Sequence, residues 1–199
     1  TGWQGEPYPV GGNWGGPHAF EIERAAAPFF GARAYGVHIT GFVRKNDGIH
    51  IWIGRRADDR PVCPGELDNM IAGGQPVTLS LKENVLKEAG EEAGVPADLA
   101  ASARPTGAIT YCMENEIGLK PDIMFCWDLE LPEDFTPVNA DGEISEFRLL
   151  PAADVIEIVD TTFDFKFNCN LVNIDFFIRH GILAPEHPDY EEILKGLRR

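Results

Sequence analysis

The 199-residue chain is short of positive charge, of cysteine and of long apolar runs, and each shortage removes a class of protein. Only 17 Lys and Arg side chains stand against 32 Asp and Glu, a formal net charge of -15. A surface this acidic repels polyanions, which excludes nucleic acid as a partner. A small anion can still bind where metal ions and a few local cations reverse the sign within one cleft. The four cysteines, Cys63, Cys112, Cys126 and Cys169, form no CxxC pair. Neither a zinc site nor a disulfide framework is indicated, and buried free thiols are expected. No apolar run approaches the roughly 18 residues that span a bilayer, and the N-terminus has no charged-then-apolar leader. A cytoplasmic protein with no membrane partner is the expectation. The chain opens on Thr1 rather than Met, which reads as a trimmed product of something longer.

What is present is an ordinary hydrophobic fraction, 44%, which with this length gives one domain with terminal decorations. Residues 1–33 read as an N-terminal arm, 34–160 as the core and 161–199 as C-terminal helices packed on it. Residues 1–17 are rich in Gly, Pro and Trp without periodicity, so an irregular arm packing through Trp3 and Trp14 is expected. Strands are expected over 35–45 and 49–55 around Asn46-Asp47-Gly48, where Asp-Gly signals a hairpin. Further strands fit 67–72, 108–113, 122–131 and 146–149, and helices fit 81–93, 152–159, 168–179 and 190–197. Strands, one inserted helix, more strands and then helices make an α+β order with a mixed sheet.

The informative stretch runs from Gly73 to Val95. Ser80 followed by Glu83 is a capping box, and Gly94 with Pro96 beyond it is a left-handed cap and a stop. Val85, Leu86, Ala89 and Ala93 fall on one side of the enclosed helix and can pack against a sheet. Glu88, Glu91 and Glu92, at i, i+3 and i+4, share the neighbouring face. Like charges at that spacing destabilise a helix by a few tenths of a kcal/mol per pair, and a bound cation reverses the sign. Hard divalent ions, magnesium (Mg2+) or manganese (Mn2+), take such oxygen ligands and complete their shell with water and phosphate oxygens.

This stretch resembles the Nudix signature: Gly, five residues, Glu, seven residues, Arg-Glu, an aliphatic residue, any residue, Glu-Glu, any residue, Gly and an aliphatic residue. Gly73, Glu88, Ala89, Glu91, Glu92, Gly94 and Val95 all match at the required spacing. Leu79 stands where the first Glu is expected, and Lys87 replaces Arg. In the family those two side chains resemble a bracing pair behind the metal site, and Lys87 can still pair with Glu91 at i+4 and Glu83 at i-4. The resemblance implies a Nudix fold, a mixed β-sheet sandwiched between helices, and metal-dependent cleavage of a diphosphate linkage in a small molecule. It implies Glu88, Glu91 and Glu92 as metal ligands, with the Gly73-Gly74 turn bringing backbone close to the ion. Gly74 and Lys87 then fall among the substrate-binding candidates.

Other stretches are similar to one branch of that family, the Nudix proteins related to thiamine pyrophosphokinase in fungi and plants. They include Phe20 to Ala26, Tyr35 to His38, Leu67 to Gly74, Leu131 to Phe135, Asp141 to Glu143 and Phe165 to Cys169. This branch uses the same Leu79-type box. The similarity implies thiamine diphosphate, or oxidised analogues such as oxythiamine diphosphate, as substrate. ADP-ribose and other nucleoside diphosphate derivatives remain alternatives, as does a non-catalytic binding module on the same fold.

Deprotonating water calls for a base, which the family places on a box Glu or a later loop. Here that points to Glu91, with Glu88 beside it, or to Glu143 and Glu146 around Asp141-Gly142-Glu143, where a plain turn is the competing reading. Arg55 and Arg56 end an expected strand and are candidates for substrate phosphates. Trp52, Tyr111, Phe125 and Trp127 are candidates for stacking on a heteroaromatic ring, with core packing the competing role. The five histidines form no spaced cluster. The oligomeric state is open, a homodimer being one alternative.

Overall fold

The computed structural model describes residues 3, 5–114 and 116–198. At its centre β3 (Tyr35–Lys45) pairs antiparallel with β4 (Gly48–Arg56), and the register brings Lys45 opposite Gly48. The turn is therefore Asn46-Asp47, and Gly48 is already a strand residue at φ 127, a conformation that favours glycine. β3 also pairs parallel with β8 (Leu119–Glu130), which pairs antiparallel with β7 (Arg104–Glu114). On the other side β4 carries β5 (Leu67–Asn69) and β9 (Ile144–Pro151). The sheet is mixed, as expected.

Where one strand was expected over 67–72, the chain forms two. β5 pairs with β4, the chain crosses at the fully buried Met70, and β6 (Ile71–Gly74) pairs with β3. That crossover swings Gly73 and Gly74 to the near end of β3, opposite Val37 and Gly36.

Side-chain alternation along β3 and β4 explains the sandwich. Val37, Ile39, Val43 and Trp52 face α1 (Leu81–Ala93), which buries Val85, Ala89 and Ala93 against them. Phe42, Ile51 and Ile53 face the opposite layer, α3 (Ala152–Thr161) and α4 (Phe167–Arg179). A short α2 (Ala97–Ala100) follows α1, and α5 (Tyr190–Gly196) ends the chain. Beyond α5, Arg198 bonds Asp175, and Arg179 holds Asp128 through two bonds at 2.6 and 2.9 Å, tying α4 and the terminus to β8.

The N-terminal arm departs from the irregular expectation. β1 (Pro7–Val10) and β2 (Phe20–Glu23) pair antiparallel as a separate two-stranded sheet, followed by a 3₁₀ helix over Arg24–Phe30. Trp14 packs on Tyr35 and Phe125, with ring centroids 4.7 and 4.8 Å away, whereas Trp3 stays 69% exposed. The backbone of β1 also docks on the core, Val77 N–H donating to the Pro7 carbonyl at 3.0 Å.

Candidate active site

The glycine loop between β6 and α1 is shaped by buried amides. Asn84 of α1 donates to the Gly74 carbonyl at 2.8 Å, and Gln75 donates to the carbonyls of Pro76 and Leu79 at 3.0 and 2.7 Å. Gln75 N–H in turn donates to the Tyr35 carbonyl. The helix then begins where the sequence places it. Ser80 accepts from Glu83 N–H, Glu83 accepts from Ser80 N–H, and Gly94 caps the far end at φ 62.

On this helix Glu88 and Glu92 are buried, while the Glu91 side chain is 54% exposed. A Cβ at Gly73 would land on the carboxyl group of Glu88, so that glycine is the cradle into which Glu88 folds. Glu92 turns toward β6 and accepts from Ala72 N–H at 2.8 Å. Burial pushes the Glu88 carboxyl above its ordinary value, against the pull of Lys87. Burial pushes Glu92 well above its own, with Asp68, Glu88 and Glu143 adding to the effect and the Ala72 amide opposing it. Two buried carboxyls on neighbouring turns of one helix are thus left with too little positive charge to balance them.

Lys87 supplies part of that balance. Its ammonium lies 3.1 Å from Glu88 and 3.0 Å from Glu91. The expected pairing with Glu83 does not form, because that carboxylate is committed to the helix cap.

The other expected contributors are placed differently. Arg55 donates to Asp58 at 2.6 Å and to Ser145. Arg56 is buried, bonded to Asp68 at 2.9 Å and to the carbonyls of Val62 and Cys63, so its donors are spent within the fold. The substrate role expected of Arg56 is corrected to a structural one. Glu143 lies 2.7 Å from Arg60, and Glu146 is paired with the neighbouring Arg148. Phe125 and Tyr35 pack with Trp14, while Trp52 and Trp127 pack in the core.

Sequence reading missed a second polar cluster, directly behind the acids. Asp68 accepts from Arg56, Lys166 and the Cys169 thiol, and its neighbour Asn69 links His38 to Asn173. Among the described residues, His38, Asp68 and Cys169 are the one trio of His, Cys, Asp or Glu whose ligand atoms lie within 4.8 Å of one another. Asp68 is nevertheless already neutralised by two cations, which fits an internal brace rather than a metal seat. Lys87 bridges Glu88 and Glu91, while the Ala72 amide draws Glu92 toward β6. They retain the all-oxygen donor set and the excess negative charge that a hard divalent ion suits.

The mixed sheet between two helical layers, with a box helix entering from a glycine loop, is the Nudix fold. A protein from Deinococcus radiodurans matches with TM-score 0.61 and 22% identity over 84% of this chain and 97% of that one. The NUDIX domain of Shewanella oneidensis NrtR, solved with ADP ribose, matches with TM-score 0.58 and 16% identity over 75% and 89%. In sequence the chain is 44% identical to the chloroplastic Nudix hydrolase 24 of Arabidopsis thaliana over 99% of its own length. It spans only 54% of that relative. A family model described as a domain of unknown function, DUF4743, matches residues 1–34, the arm. The chain thus has the Nudix fold and is similar in sequence to a Nudix hydrolase over its whole length, while spanning about half of that relative. Among the described residues no helix is long and apolar enough to cross a membrane, and the chloroplastic name of the relative lends no support to a cytoplasmic location.

Proposed function

We propose that this chain is a divalent-metal-dependent hydrolase of a small diphosphate, thiamine diphosphate or an oxidised analogue in the first instance. The observation that carries the reading is the pair of buried carboxyls, Glu88 and Glu92, pushed up from their ordinary values beside the glycine that makes room for one of them. Glu88, Glu91 and Glu92 would hold the ion, with Gly73 contributing backbone. When bound, magnesium or manganese would neutralise phosphoryl oxygens and acidify water. Lys87 would move from carboxylate to phosphate oxygens as the negative charge is shared out. Glu91, exposed on the same helix face, and Glu143, directed by Arg60, are the two candidates for accepting the water proton.

For the substrate, a cleft of about 240 Å³ opens between Trp14, His18, Tyr35, Val77 and Leu79. The loop that follows Gly73 and Gly74, between β6 and α1, supplies Val77 and Leu79 to this cleft. Leu79, the departure from the signature, is therefore an apolar wall where a carboxylate would face aromatic rings. A cationic heterocycle such as a thiazolium suits both the rings and a chain of net charge -15.

The test is a panel of thiamine diphosphate, its oxidised forms and ADP-ribose, assayed with magnesium against Glu91→Gln and Glu92→Gln proteins. Turnover of a thiamine-type diphosphate that falls by orders of magnitude in both variants is expected. Preference for ADP-ribose would replace the substrate, equal turnover in parent and variants would refute the acids' role, and a flat panel would favour a binding module. Glu143→Gln decides the base: an unchanged rate assigns it to Glu91.

A further inference from the structure

Arg55 and Arg56, the arginines expected from the sequence to meet a diphosphate, are committed elsewhere, and so is the neighbouring Arg60. Arg56 is buried on Asp68, Arg55 holds Asp58 and Arg60 holds Glu143. A diphosphate approaching three carboxylates nevertheless needs positive charge beyond that of a metal ion, and Lys87 alone is one point donor.

The arm supplies another. A Cβ at Gly74 would land on the Tyr8 hydroxyl and within 2.9 Å of Arg24 Nη1, so both arm side chains reach into the space this box glycine leaves. Arg24 keeps one ion pair, Nη1 to Glu6 at 3.0 Å, and its side chain is 44% exposed. Its Nε and Nη2 have no hydrogen-bond partner among the described residues. Backbone contacts fix it there: Arg24 N–H donates to the Glu6 carbonyl at 2.9 Å, and β1 is joined to the glycine loop through Pro7 and Val77. Arg24 also lies close enough to Glu88 to feel its charge, although burial opposes its own. We propose that Arg24, with the Tyr8 hydroxyl beside it, forms an anion subsite contributed by the arm, which takes the diphosphate oxygens that the acid-bound ion leaves uncovered. The inference rests on the diphosphatase reading for its ligand.

Guanidinium geometry suits this task because Nε and Nη2 present two parallel donors to one phosphate. Tyr8 contributes a further O–H donor. Burial pushes its hydroxyl up to about 12, so it stays protonated across the working range. The arm would thus be part of the active site, joined to the core through the same loop that forms the ring cleft.

The experiment uses the full 199-residue chain, with Arg24→Met, Arg24→Lys and Tyr8→Phe variants. Steady-state kinetics on the best diphosphate of the panel are run beside calorimetric binding of methylenediphosphonate in magnesium. Arg24→Met is expected to raise KM and weaken methylenediphosphonate roughly tenfold or more, the loss typical of one charge-assisted contact. Its melting midpoint and its magnesium-induced shift should stay near those of the parent. Arg24→Lys should recover part of the affinity, and Tyr8→Phe should lose a few-fold. Affinity and KM within about twofold of the parent in Arg24→Met would overturn the subsite, as would a parent that binds no methylenediphosphonate. A parent that binds it through Arg24 yet hydrolyses nothing would keep the subsite and remove the hydrolase reading.

Discussion

Replacing Glu92 by Gln probes the acid cluster in a way that activity alone does not. The carboxylate is buried within the fields of Asp68, Glu88 and Glu143, so its charge opposes folding whenever no cation is bound. A buried, uncompensated charge costs several kcal/mol, and the Ala72 amide 2.8 Å from Oε2 offsets part of it. Gln keeps an oxygen for that amide and removes the charge, which should relieve about 1–3 kcal/mol. For a domain of this size 1 kcal/mol moves the melting midpoint by roughly 2–4 °C, so Glu92→Gln should melt several degrees above the parent in EDTA. The folded state holds this proton more tightly than the unfolded one. The penalty is therefore felt above the folded pKa and fades as pH falls, and the gap between the two proteins should narrow in acid. Magnesium reverses the order. An ion at about 100 times its Kd stabilises the parent by about 2.7 kcal/mol, whereas the variant lacks one of the three proposed ligands and should gain little. Scanning fluorimetry of both proteins, in EDTA and through a magnesium titration, checks the crossing. A variant that melts below the parent in EDTA, or keeps the full metal-induced shift, refutes the reasoning.

Two further outcomes concern the fold beneath the site. Burial, helped by Lys166, pulls His38 down to about 4. Burial alone would raise Asp68, but Lys166, His38, the Cys169 thiol and Arg56 outweigh it and hold the carboxyl at about 2. Both groups bind protons more readily when unfolded, so stability should fall from about pH 6.5 to 4 through His38 and from about pH 4 to 2 through Asp68. The loss is about 3 kcal/mol through His38 and about 2 kcal/mol through Asp68, measured by urea unfolding across pH; a flat profile between pH 7 and 4.5 would exclude a neutral buried His38. Ser80→Ala should cost about 1 kcal/mol by removing one half of the capping box, read as a lower urea midpoint with unchanged slope. No loss would mean that the loop, rather than the cap, sets the start of α1.

The difference between what could and could not be read in advance follows from distance along the chain. The box helix was legible to its ends because its determinants are local: Ser80 and Glu83 are three residues apart, and Gly94 sits where the helix must stop. β3 and β4 carried their own alternation and turn signal, and only the turn position moved. The arm hairpin was opaque because Pro7 and Pro9 interrupt the strand pattern and its partner begins only at Phe20, beyond a Gly-rich stretch. Arg24 lay in a stretch of family resemblance but gave no sign of a site role, since what distinguishes it is proximity to Gly74, fifty residues later. The same holds for Arg56. A strand-end arginine looks available in sequence, and only the fold reveals that Asp68 and the carbonyls of Val62 and Cys63 have claimed it. Asp68 thereby joins the two levels. It holds Arg56 within the fold and adds its charge to the field that raises Glu92, so this brace on β5 takes up one cation and leaves the acids of α1 short of another, the shortage that the proposed arm subsite would meet.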